Sequence, residues 1–93
     1  MKLVNIFLKD PCVGWHPVDC SPFNRKVDIY SCTDEFAEVF CETYPTHLKL
    51  FKKEVKCIGN AMLVHLTLQS EYAISHFDSN QAHYYVDAVL VNE

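Results

Sequence analysis

Cys12, His16 and Cys20 stand at four-residue intervals in a proline-containing stretch, with Cys32 beyond them. Three thiolates and one imidazole are a donor set for tetrahedral Zn²⁺, and a metal would hold an otherwise irregular segment in place. The spacing departs from that of structural zinc sites, whose cysteines usually come in pairs about two to four residues apart. The competing reading makes these cysteines small buried apolar groups and His16 an ordinary loop residue. A second chemistry open to the same residues is attack by a thiolate, which needs a Cys–His meeting in space and a thiol pKa held low. No G-x-S-x-G elbow, H-E-x-x-H helix or glycine-rich phosphate loop occurs, and Gly14 and Gly59 are the only glycines. The main expectation is therefore a protein without catalytic residues or cofactor. A zinc module on Cys12, His16, Cys20 and Cys32 is the first alternative, and a thiol-dependent enzyme the second.

Charge and aromatic rings are the other residue types with something to do. The net charge is −4, and no Lys or Arg follows Lys56, whereas Glu71, Asp78, Asp87 and Glu93 lie after it. A negative field of this kind repels phosphate and attracts basic protein surfaces. Glu35, Glu38 and Glu42 add carboxylates at helical spacing, and Tyr72, Phe77, Tyr84 and Tyr85 crowd the C-terminal region. Tyrosine combines a large apolar ring with a hydrogen-bonding tip and so suits an interface, with cross-strand pairing as the rival use. Lys49, Lys52, Lys53 and Lys56 form the only basic cluster, with Phe51 inside it. Lysines on an exposed edge strand discourage sheet-to-sheet aggregation, the plainer reading of that cluster beside phosphate contact.

The elements that must position these residues follow from periodicity. Gly59-Asn60 lies between two β-rich runs, Glu54–Ile58 and Ala61–Leu68, and fits a two-residue type II′ hairpin turn. After it, Met62, Val64, Leu66 and Leu68 alternate with a more polar set, as on a strand with one apolar face. A helix from Thr46 capped by Gly59 is the rival for the segment before the turn. Leu3–Leu8 reads as a first strand with Val4, Ile6 and Leu8 on one face, and Val27–Cys32 as a short second one. The stretch from Pro11 to Lys26 has no usable period and reads as a long loop. Thr33 looks like an N-cap for an amphipathic helix over Asp34–Tyr44 whose apolar stripe is Phe36, Ala37, Val39, Phe40 and Tyr44, closed by Pro45. Tyr72–Phe77 and His83–Val91 read as strands flanking a turn at Asp78–Gln81, the last with Tyr84, Val86, Ala88 and Leu90 on one face. The whole predicts one small α+β domain over residues 1–93: an antiparallel sheet of about four to six strands with that helix packed on one face.

With 49% apolar residues among 93, the chain has enough hydrophobic surface to fold, and no run approaches the length of a membrane span. The opening Met1–Asp10 lacks the features of a secretory signal, and five cysteines form an odd set, so the expectation is a cytoplasmic protein with free thiols. Such a chain suits an inhibitor that occupies another protein's surface. Carboxylates that compete with phosphate for the basic groove of a nucleic-acid-handling protein, as in anti-CRISPR, anti-restriction or toxin-immunity proteins of phage and bacteria, are the physically coherent class. The residues assigned to partner contact are Glu35, Glu38, Glu42, Asp78, Tyr84, Tyr85 and Asp87, with no direct role for nucleic acid or membrane. Two-sided apolar strands make a homodimer the other way to cover a sheet face.

Overall fold

Alternation of apolar and polar side chains over long runs gives strands here, and four antiparallel pairings join them into one sheet. The computed structural model describes residues 1–10, 13–44, 48–70 and 83–92, with the side chain of Ser70 left aside. In chain order the elements are β1 (Lys2–Asp10), β2 (Gly14–Val18), α1 (Ser21–Lys26), α2 (Thr33–Thr43), β3 (Leu48–Ile58), β4 (Ala61–Ser70) and β5 (His83–Val91). The strands lie in the order β2-β1-β5-β4-β3, all neighbours antiparallel, so β2 and β3 are the edges. The α+β class stands, with five strands and two helices among the described residues. No helix among the described residues is long and apolar enough to cross a membrane.

The segment before Gly59 is strand, not helix. Ile58 pairs with Ala61 across the turn, and Gly59 takes φ 60° while Asn60 keeps an ordinary negative φ. A type II′ turn demands that asymmetry, which makes Gly59 the residue that sets the register of the longest hairpin in the molecule.

The core lies between one face of the sheet and the helices. Leu3, Ile6 and Leu8 of β1, Val86, Ala88 and Leu90 of β5, Val64, Leu66 and Leu68 of β4 and Leu48 of β3 meet Phe23 of α1 and Phe36, Ala37, Val39 and Phe40 of α2. Phe40 is the centre of the helical side, stacked on Phe23 at 5.1 Å and on Tyr44 at 5.5 Å, with Phe36 at 6.1 Å. The helix ends where the sequence demands it: Tyr44, the residue before Pro45, turns to ψ 131°.

Several local expectations are corrected. The 11–26 region is not a plain loop; it contains β2 and α1, both too short to show a period. Pro17 is tolerated because β2 is an edge strand, and Pro22 because it sits in the first turn of α1, where its missing N–H had no partner to lose. Val27–Cys32 is not a strand: Tyr30 exchanges backbone hydrogen bonds with Met1 at 2.7 and 2.6 Å, and no ladder extends from that pair. Leu3, not Val4, joins Ile6 and Leu8 in the core, because the β1–β5 register shifts between Leu3 and Asn5. Thr33 begins α2 as its first residue and does not cap it; Cys32 is the N-cap, and the Thr33 hydroxyl accepts from Lys53 Nζ at 3.0 Å. The expected strand Tyr72–Phe77 and turn Asp78–Gln81 lie outside the described residues.

Tyr30 gives the fold a testable alkaline limit. Its ring is fully buried edge-on against Phe36, its hydroxyl donates to the Phe23 carbonyl at 3.0 Å, and burial, with Glu35 nearby, pushes its pKa from 10 to about 12. A raised acid pKa favours the protonated native form, so the stabilisation is fully present below the unfolded value near pH 10 and is lost between about pH 10 and 12. The melting temperature should fall across that window, and Tyr30→Phe should flatten the part of the fall that the lysines do not cause. An unchanged pH profile in the variant would remove Tyr30 as the cause.

Candidate functional site: the uncovered face of the sheet

Register, not sequence position, decides which side chains share the second face of the sheet. One ladder of partners runs Phe7–Asp87–His65–Glu54 across β1, β5, β4 and β3, and the next runs Lys9–Tyr85–Thr67–Lys52. On the other side of the first comes Asn5–Val89–Leu63–Lys56. Strand β2 adds Trp15 beside Lys9 and Pro17 beside Phe7. None of these residues belongs to the buried core shared with α1 and α2, and no described element covers them. Phe7 keeps 44%, Trp15 47% and Leu63 36% of its surface in water. Single exposed apolar residues are ordinary on a protein; a contiguous set on one face marks a contact surface.

Polar groups on this face are already organised. His65 lies 2.5 Å from Asp87 through Nδ1, and because an ionised carboxylate only accepts, the Nδ1 proton is donated to it. His65 stacks on Tyr85 at 6.0 Å, Lys9 Nζ stands 5.9 Å over the Tyr85 ring, and His83 lies between Tyr85 and Phe51 at 6.4 and 5.7 Å. The Gln69 amide nitrogen donates to His83 Nε2 at 3.0 Å. Glu54 pairs with Lys52 at 2.8 Å, and the hydrogen bond holds its carboxyl below the usual range. Between these polar groups and the hairpin tip, Asn5, Phe7, Leu63, His65, Asp87 and Val89 line an open concavity of about 520 Å³.

Charge is layered through the molecule. Among the described residues, Lys2, Lys9, Lys49, Lys52 and Lys56 all project from this face, on β1 and β3, as do the carboxylates Glu54 and Asp87. The helical side carries Asp19, Asp28, Asp34, Glu35, Glu38 and Glu42 against Arg25 and Lys26. Lys53, the one lysine of β3 that alternation turns to the helical side, reaches Asp34 and Thr33.

The sequence-predicted contact residues are therefore divided. Tyr85 and Asp87 stand together on the uncovered face. Tyr84 points to the other side and packs against the core, as strand alternation requires for adjacent residues. Glu38 and Glu42 are exposed on α2, across the molecule from Tyr85. Glu35 accepts from the Ser31 hydroxyl and from its backbone N–H at 3.2 Å, which holds its carboxyl low and fixes the start of α2. Asp78 lies outside the described residues. Of the thiol and imidazole set, His16 Nδ1 lies 3.1 Å from the Gly14 carbonyl, Cys20 donates to the Val4 carbonyl at 3.7 Å, and Cys32 is exposed at the head of α2. Cys12 is not described, and no group of three His, Cys, Asp or Glu suited to a metal occurs among the described residues. Burial pushes the Cys20 and Cys41 thiols up, away from the state a nucleophile needs.

Phe7, Trp15, Leu63 and His65 are site residues that the sequence does not single out. Each is unremarkable alone, and only the pairing of β1 with β5, strands far apart in the chain, puts them side by side. Compared with family models, with curated proteins and with solved structures, this chain matches none.

Proposed function

We propose that this protein is a non-catalytic binding protein that acts by occupying a surface of a protein partner, with the uncovered face of its sheet as the contact. The observation that carries this reading is the contrast between the two faces over the central strands: one buries Ile6, Leu8, Leu66, Leu68, Val86 and Leu90 under α1 and α2, the other leaves Phe7, Trp15 and Leu63 in water. Apolar groups ringed by lysines and punctuated by tyrosine, tryptophan and histidine have the anatomy of an interface, an apolar middle with a polar rim. Strand-borne side chains are held by the ladder, so little freedom remains to be lost on binding. A protein of this kind inhibits by exclusion, keeping the partner's usual ligand from the same place.

A photo-reactive benzoylphenylalanine in place of Leu63 should cross-link a protein in lysate of the native source, and the same group in place of Glu38 should not. Cross-linking from position 38 alone overturns the reading. That outcome would favour a second one, supported by the groove of Asp34, Ala37, Glu38, Cys41, Leu48 and Leu50 between α2 and β3. Its carboxylates and the exposed Leu50 suit a basic segment carrying an apolar residue, the partner class that sequence charge suggests.

A further inference from the structure

The sign of a partner's charge is set by the surface it meets and not by the net charge of the chain. The uncovered face carries Lys9 on β1 and Lys56 on β3 on either side of its middle, with Lys52 held by Glu54 and with Lys2 and Lys49 at the ends. The two carboxylates it has among the described residues are both engaged within the face, Glu54 by Lys52 and Asp87 by His65. The middle of the face is apolar and aromatic: Phe7, Leu63, Val89 and Tyr85. Lys56 is exposed on the edge strand opposite Leu63, so its ammonium borders the concavity that Leu63 and Phe7 line.

Resting on the reading that this face is the contact, we infer that its occupant is an acidic protein surface: an apolar patch flanked on two sides by carboxylates that meet Lys9 on β1 and Lys56 on β3. Carboxylates arriving there gain attraction from both flanks, while an arriving lysine or arginine meets like charge. A second copy of this chain is a poorer fit, because stacking two such faces with their strands aligned sets lysine flank against lysine flank. A nucleic acid would also find lysines and rings here. Against it stands Asp87 at the centre of the face, whose carboxylate repels phosphate.

The test uses the full chain, isotope-labelled, with three probes: a random copolymer of glutamate and tyrosine, one of lysine and tyrosine, and an oligothymidylate of about twenty nucleotides. The glutamate–tyrosine copolymer should shift the backbone amide signals of Phe7, Leu63, His65, Tyr85 and Val89, with an affinity that falls roughly tenfold as salt rises from about 0.05 M to about 0.3 M. The double change Lys9→Glu and Lys56→Glu should remove the shifts and leave the melting temperature near that of the unaltered chain. Shifts of these residues by the lysine–tyrosine copolymer in preference would overturn the inference while leaving the face as a contact surface. Tighter binding of the oligothymidylate, or a dimeric mass in light scattering that survives the double change, would overturn it in favour of nucleic acid or of self-association. No shift from any probe also overturns it, and cross-linking from position 63 then reports separately whether the face is used at all.

Discussion

Phe40→Ala is expected to be among the most destabilising single changes in this protein. Phe40 is fully buried and is the one ring that touches Phe23 of α1, Phe36 of its own helix and Tyr44 at the helix end. Truncating a buried phenylalanine costs about 3–5 kcal/mol, the transfer free energy of the lost ring atoms plus the cavity left behind. A chain of this size has a total stability on the order of 5–14 kcal/mol. The cost is at the high end here because α1 has only six residues and one buried side chain, Phe23, whose stacking partner is the ring removed. Urea unfolding should show the midpoint lowered by about a fifth of its value or more, with loss of α1 protection in hydrogen exchange ahead of β4 and β5. A midpoint within about 1 kcal/mol of the parent would mean that the helical layer is not held by this aromatic stack.

The second large effect is on binding. Tyr85→Ala should weaken the complex with the cross-linked partner by roughly 30-fold to 1,000-fold, the range of a central aromatic anchor worth about 2–4 kcal/mol. Tyr85 stands in the middle strand of the uncovered face, with its ring against His65 and under Lys9. The loss should appear mainly as faster dissociation, since packed anchors act after encounter. Its neighbour supplies the control. Tyr84 faces the helical side and touches the core, so Tyr84→Ala should lower the melting temperature and leave partner affinity near its original value. If the two variants behave alike in both measurements, strand alternation is not what divides contact from core in β5.

Elements that repeat a regular period many times are legible in the amino-acid sequence alone. β4, β5 and α2 each repeat their pattern over nine residues or more and one glycine of positive φ marks the turn before β4, whereas β3, broken by a register shift between Leu50 and Lys52, reads as strand or as helix. β2 and α1 are not legible in this way, because five and six residues with a proline in each carry no period, and their positions follow from where β1 and α2 leave room. The swap of Leu3 for Val4 in the core comes from a register shift that pairing partners impose and composition does not record. The site shows the same division. Tyr85 and Asp87 can be singled out as residues, but their surroundings cannot, since Asp87, one of an acidic set along the chain, lies in the sheet between Phe7 of β1 and His65 of β4. Charge read in one dimension misjudges charge in three.

Layering of lysines and carboxylates among the described residues sets an asymmetry of charge that the net charge of this chain does not record. Its isoelectric point, about 5.6, is then a poor guide to its behaviour on charged matrices. At neutral pH a molecule with four surplus negative charges should be retained by an anion exchanger through its helices. It should also be held back by a cation exchanger at low ionic strength, through the sheet, because each resin meets the nearer layer and not the average. In mixtures it will orient at an interface before it binds there, and the face presented first is chosen by the sign of the surface.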